Sequence, residues 1–291
     1  NTDAQTLSID GNTISITGGN SVTIAPAVSL DGDLTGSVFG DDSTLLVDGV
    51  NNKIVGAVDT ASLTVSSTNV AIGNSAGETT QGVQAVSLGA RAGQTTQGNN
   101  ATAIGADAGN SSQGANATAI GGGSAQVSQG EGAVAIGYLA GETTQGASSV
   151  AIGKEAGLTS QGTESVAIGD QAGKTTQGER AISIGDLAGN TTQGATAVAI
   201  GANAGRITQG ATGVAVGMSA ALEGQGTGAT AVGEGAGQGQ QGAYAVAVGR
   251  NSGSSTQSIN AVAIGNAAGN SSQGASAVAI GDQAGSDTQS L

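Results

Sequence analysis

The chain has 291 residues, of which 54 are Gly; there is one Pro, no Cys, no His and no Trp, and 21 Asp+Glu against 7 Lys+Arg give a formal charge of −14. This composition excludes catalysis by His or Cys, zinc sites built from those ligands, and disulfides. An acidic chain of this kind repels nucleic acid and anionic membrane, and it has no apolar run of about 18 residues to span a bilayer. Asn1 reads as the start of a fragment or of a processed product.

The first 67 residues carry short alternating strands at Leu7/Ile9, Ile14/Ile16 and Val22/Ile24. Turn signals at Asp10-Gly11-Asn12 and Gly18-Gly19-Asn20 separate them. Asp31, Asp33, Thr35, Gly36, Ser37, Val38 and Asp42 follow the spacing of a calcium-binding loop. Asp stands where such loops have a bidentate Glu, and no flanking helices are evident, so a solvated turn is the preferred reading of 31–42.

From Thr68 to Leu291 the chain is one 16-residue repeat in fourteen copies, without insertion. Stepping by 16 from Ile72 to Ile280 meets a branched aliphatic every time, always followed by Gly and with Gln nine residues on, from Gln81 to Gln289. The consensus is AVAIGxxAGxTTQGxx. Val70 and Ile72 are two apart, as are Val150 and Ile152, which is the period of a strand. Repeated Gly disfavours a helix, and its fixed offsets mark turns. Collagen is excluded because Gly does not recur at every third place. Each copy therefore reads as one coil of a parallel β-solenoid, with strand one at AVAI, a turn through GxxAG, a shorter strand at TTQ and a return turn. Fourteen coils at the inter-strand spacing make a stack of roughly 65–70 Å.

The VAIG positions hold no charge, whereas charges cluster in the turns, as at Lys154, Glu155, Asp170, Glu164 and Arg180. The aliphatic track is accordingly expected inside. The alternate side of the same strand carries Ala71, Ala103, Ala135, Ala167, Ala199, Ala231 and Ala263. A smooth Ala face allows close approach of another backbone, so the expectation is that Val and Ile fill each chain while Ala packs against partner chains. A single-chain solenoid with a small-residue flank is the alternative. Two sizeable inward side chains per coil make a thin core, which favours the oligomer.

The segments SVAIG at 149–153 and 165–169, and AVAIG at 133–137, 197–201, 261–265 and 277–281, resemble the head repeats of trimeric autotransporter adhesins. The resemblance covers about three quarters of the chain and implies a homotrimeric parallel β-roll, although the period of 16 is longer than is usual in those heads. The stretch GDLTGSVFGDDSTLLVDGVNNKIVG at 32–56 resembles a module of structural proteins of tailed phages, especially those of cyanobacteria. The two resemblances together imply a bacteriophage tail fibre or other virion structural protein.

Other candidate features read as architecture. Ser or Thr fills the Thr80 position in twelve of fourteen coils, failing at Gly224 and Gln240. Such a row suits ice or another ordered surface, but Thr79 and Thr80 are adjacent and are expected on opposite faces. The Gln column reads as a structural ladder or turn clamp. Tyr138 and Tyr244 fall in turns and read as ordinary exposed aromatics. Leu222–Gln241 loses Thr and gains Gly, and reads as a kink or a softer segment. No nucleophile with a base, Walker loop or paired carboxylates is found, so catalytic, metal and cofactor residues are assigned to none.

The sequence thus predicts an all-β, elongated, homotrimeric, non-enzymatic fibre, with a β-rich connector at 1–67 and fourteen β-roll repeats at 68–291. Its expected place is the virion or the extracellular space. Its expected partners are two further copies, other fibre or virion proteins at the ends, and a host receptor or glycan; nucleic acid and membrane insertion are not expected. The alternatives are a bacterial surface adhesin head and an ice- or surface-binding solenoid.

Overall fold

The computed structural model describes residues 68–287 throughout and, before them, the backbone of 7–10, 13–16, 37–39, 45–48 and 53–54. The chain forms two compact units, Asn1–Thr64 and Val65–Leu291.

In the first unit, β1 (Leu7–Asp10) pairs antiparallel with β2 (Thr13–Ile16), Leu7 opposite Ile16 and Asp10 opposite Thr13. Two residues, Gly11 and Asn12, separate the paired ends, as the turn signal requires. A second sheet runs β3 (Ser37–Phe39), β4 (Leu45–Asp48), β5 (Lys53–Ile54), all antiparallel, with a register slip between Val38 and Phe39. The expected strand at Val22/Ile24 lies outside the described residues. So do Asp31, Asp33, Thr35, Gly36 and Asp42 of the calcium-loop pattern, while Ser37 and Val38 belong to β3.

The second unit is an all-β parallel solenoid of about thirteen turns. Its larger sheet has fourteen three-residue strands, from Val70–Ile72 to Val278–Ile280, each paired with the strand 16 residues on. Val150 lies opposite Val166, Ala151 opposite Ala167 and Ile152 opposite Ile168. The second ladder consists of two-residue strands such as Thr144–Gln145 and Thr176–Gln177, ending at Ser272–Gln273. Bridges from Gln97 to Gln113 and from Gln113 to Gln129 join its two parts. Both strands are one residue shorter than the consensus suggests. The second Thr and the Gln pair with their neighbours, whereas the first Thr falls at a corner.

Two turns close each coil. Gly153 sits at φ 129 and Gly157 at φ 55, with Glu155 at φ 54 between them; Glu164, at φ 57, marks the return turn. Gly153 is needed twice over. Its φ is one that side chains disfavour, and a Cβ there would lie 2.5 Å from the carbonyl oxygen of Gly169 in the next coil. At Gly162 φ is ordinary, but a Cβ would lie 2.6 Å from backbone atoms of Gly178 and Glu179. The Gly columns therefore let successive coils stack at ladder distance.

The sidedness of the long strand is the reverse of the expectation. The middle residue is fully buried from Ser87 to Ala263, as at Ala103, Ala135, Ala167, Ala199 and Ala231, and is exposed only at Ala71 in the end coil. Val and Ile project outward and stay partly exposed: Ile136, Ile184, Ile200 and Ile264 are 37–38% exposed. The interior is too thin for them. Its occupants are the strand Ala, an Ala from each turn, and one Gln, whose side chain crosses to the opposite sheet. Gln145 Nε2 donates to Val134 O at 2.8 Å, and Gln209 Nε2 to Val198 O at 2.7 Å. A cavity that one Gln spans cannot hold two branched aliphatics per coil. The proposed Ala interface between chains is thereby overturned, since the Ala face is already covered by the chain's own second sheet.

Candidate functional site

The repeat builds two surfaces and one internal row, and each follows from which residues alternate outward and inward. The first is the outer face of the fourteen-stranded sheet. Two columns line it: one runs through Val134, Val150, Val166 and Ile182, the other through Ile136, Ile152, Ile168 and Ile184. Thr replaces Val at Thr102, Thr118 and Thr230, and no charge interrupts either column. Thirteen steps at the strand spacing give the face a length of about 60 Å. A continuous, charge-free apolar strip of this length is unusual on a monomer and marks an interaction surface.

The second surface is the hydroxyl face of the short-strand ladder. Thr143 and Thr144 are both exposed, as are Thr175 and Thr176, so the adjacent threonines do not lie on opposite faces. Gln is the inward residue, and the corner places both hydroxyl columns outside. The corner column is broken by Val127 and Ile207, each 45% exposed, and by Glu223.

The third feature is internal. The Gln column is buried, with Gln193, Gln209, Gln257 and Gln273 each 1% exposed. Gln209 Nε2 donates to Gln225 Oε1 at 3.0 Å, and Gln225 Nε2 to Gln241 Oε1 at 3.1 Å. The row runs from Gln97 to Gln145, and again from Gln177 to Gln273. Between them, Gln161 Oε1 and Gln177 Oε1 are buried without a hydrogen-bond partner. Both missing links fall where Ser replaces Ala four residues after the donor Gln, at Ser149 and Ser165. Those hydroxyls donate to Gly146 O and Gly162 O instead.

Charged side chains pair along the stack. Arg91 donates two hydrogen bonds to Asp107 in the next coil, at 2.6 and 2.7 Å, and this holds the Asp107 carboxyl below its ordinary range. Lys174 Nζ donates to Glu155 Oε2 at 2.7 Å and lowers the Glu155 pKa likewise. Tyr138 and Tyr244 are 59% and 60% exposed, and the Tyr244 ring lies over Gly228 of the preceding coil. Among the described residues, no three His, Cys, Asp or Glu side chains are grouped to hold a metal ion. No helix among them is long and apolar enough to cross a membrane.

A depression interrupts the hydroxyl face at Gly224 and Gly239. One part has a volume of about 420 Å³, lined by Thr208, Glu223, Gly224, Gln240 and Thr256; an adjoining part of about 450 Å³ includes Gln238, Ser254 and Ser255. It coincides with the Leu222–Gln241 segment, where the Thr pattern lapses. That segment is not a kink, because both ladders continue through it in register.

Compared with family models, curated proteins and solved structures, the chain finds no match.

Proposed function

We propose that the chain is a structural, non-enzymatic fibre protein whose repeats associate as a homotrimer through the Val/Ile face. The observation that carries this reading is the outward-facing, partly exposed and charge-free double column along all fourteen strands, branched aliphatic except at Thr102, Thr118 and Thr230. Each coil buries little more than Ala and one Gln internally, so the large apolar groups gain burial only against another chain. Copies of the same chain fit best. They present the same strip at the same 16-residue pitch, and like net charge is kept away from the seam. In this arrangement the turns carry the charges outward and the hydroxyl face stays open.

A bacteriophage tail fibre or virion appendage, extracellular and serving host attachment, is the role that combines such a spacer with the 32–56 resemblance. Its other partners are fibre or virion proteins at its ends and a receptor or glycan on the host. A bacterial adhesin head would use the same architecture and is distinguished by its neighbouring sequence. The hydroxyl face keeps an ice- or surface-binding reading open, since both of its columns are outside. The breaks at Val127, Ile207, Glu223 and Gly224 weigh against it. Sedimentation of the intact chain tests the proposal: a particle of three chains is expected, and a single-chain mass would overturn it.

A further inference from the structure

We infer that the depression around Gly224 and Gly239 is a saccharide subsite, built for a neutral or amino sugar and not for an acidic one. The first argument is where the repeat changes and where it does not. Through Leu222–Gln241 the inward residues keep their types: Ala220, Ala231 and Ala236 are fully buried, and Gln225 and Gln241 continue the internal row. Only outward positions depart. The expected Thr-Thr pair becomes Glu223-Gly224 in one coil and Gly239-Gln240 in the next. Folding does not require the change at Gly224, whereas at Gly239 an added Cβ would collide with Ser255 O of the next coil, so the departures left free by the fold are those at Glu223, Gly224 and Gln240.

The second argument is chemical. At Gly224 an added Cβ would meet nothing nearer than 4.0 Å, so Thr would fit there, and its absence opens space. Into that space face Glu223, Gln238 and Gln240, none of whose side chains engages another residue of the described chain. Some turn side chains elsewhere pair along the stack, as Gln94 does with Glu78 and Lys174 with Glu155. A carboxylate and two amides with unused capacity offer acceptors and donors to the hydroxyls of a sugar, and Thr208 and Thr256 add hydroxyls to the lining. The carboxylate and the overall charge of −14 repel an acidic sugar. No aromatic ring lines the depression, so recognition is by hydrogen bonds and is weak per site, with multiple chains supplying avidity. The site lies on the short-strand ladder and remains open when the Val/Ile sheet is covered.

This assignment rests on the attachment reading for its biological role, although its chemistry and the particle mass fail independently. The test titrates the full chain with linear trisaccharides of glucose, of galactose and of N-acetylglucosamine, with sialyllactose as the acidic control. The comparison is a triple variant, Glu223→Thr with Gly224→Thr and Gln240→Thr, which returns three of the four altered positions to Thr and leaves Gly239. At least one neutral trisaccharide is expected to bind, with affinity falling about tenfold or more in the variant and an unchanged melting temperature. If that variant folds poorly, Glu223→Gln serves in its place, with a several-fold loss expected. The inference is overturned if no neutral trisaccharide binds, if the variants bind equally well, or if sialyllactose binds as tightly.

Discussion

Gln209 shows why one residue type recurs at every coil. Its amide nitrogen donates to Val198 O, Gly213 O and Gln225 Oε1, and its oxygen accepts from Gln193. A side-chain amide carries donor and acceptor on separate atoms, so it can donate to one neighbour and accept from the other along an unbroken row. Replacing Gln209 with Glu turns acceptor oxygens toward three other acceptors, so burial and these neighbours raise the carboxyl pKa. The folded-state pKa then lies above the unfolded one. The variant keeps its stability at low pH and loses it as pH rises through the folded value. Melting at pH 4 and pH 7 should show a loss of about 3–5 kcal/mol at the higher pH, the cost of an uncompensated buried charge. Gly153 makes the matching backbone case. Gly153→Ala places a methyl against Gly169 O in a φ region hostile to side chains. Denaturant unfolding should show a loss of at least about 1–3 kcal/mol.

Among elements, the stack is held by ladders whose links are individually modest. The internal Gln row lacks two links, and each gap coincides with a Ser that binds its own turn. The double variant Ser149→Ala with Ser165→Ala restores the residue found in neighbouring coils and frees the Gln amides to join. Closing the gaps should satisfy Gln161 Oε1 and Gln177 Oε1 and raise stability by about 1 kcal/mol per link, read by denaturant unfolding. An unchanged midpoint would show that the gaps arise elsewhere. Outer ion pairs contribute less. Asp107 and Glu155 have pKa values lowered in the fold, so their stabilisation is present above the unfolded carboxyl range and is lost as pH falls through the lowered values. Because the Arg91 side chain is 54% exposed, Asp107→Asn should cost no more than about 1 kcal/mol at pH 7. The cost should vanish in strong acid.

For the solenoid, the decisive feature is an apolar sheet face that its own coils leave uncovered. On the trimer proposal, charges at its centre, as in Ile152→Asp with Ile168→Asp, should reduce the sedimenting mass from three chains to one. The circular-dichroism signature of the strands should remain, since neither side chain enters the coil interior. A particle that stays trimeric would place the interface elsewhere. Restoring threonines around Gly224 should leave that mass unchanged, because the depression belongs to the other sheet.

The repeat by itself determined the period, the strand positions, the turns and the parallel stacking. Each depends on local spacing: two for strands, Gly at close approaches, and 16 for the register Val150 opposite Val166. The Gln column was legible as a ladder for the same reason, since identical residues recur at the pitch of the stack. Sidedness was not legible. A period of two separates Ala from Val and Ile but does not say which set is inside. The usual inference from size fails when two sheets lie so close that a single Gln bridges them. Only the tertiary structure decided that Ala is core and that the aliphatics face outward, because the width of the interior is set by both sheets together. The same holds for the Thr pair, where a corner replaces strand alternation, and for the depression at Gly224, which forms from two coils at once.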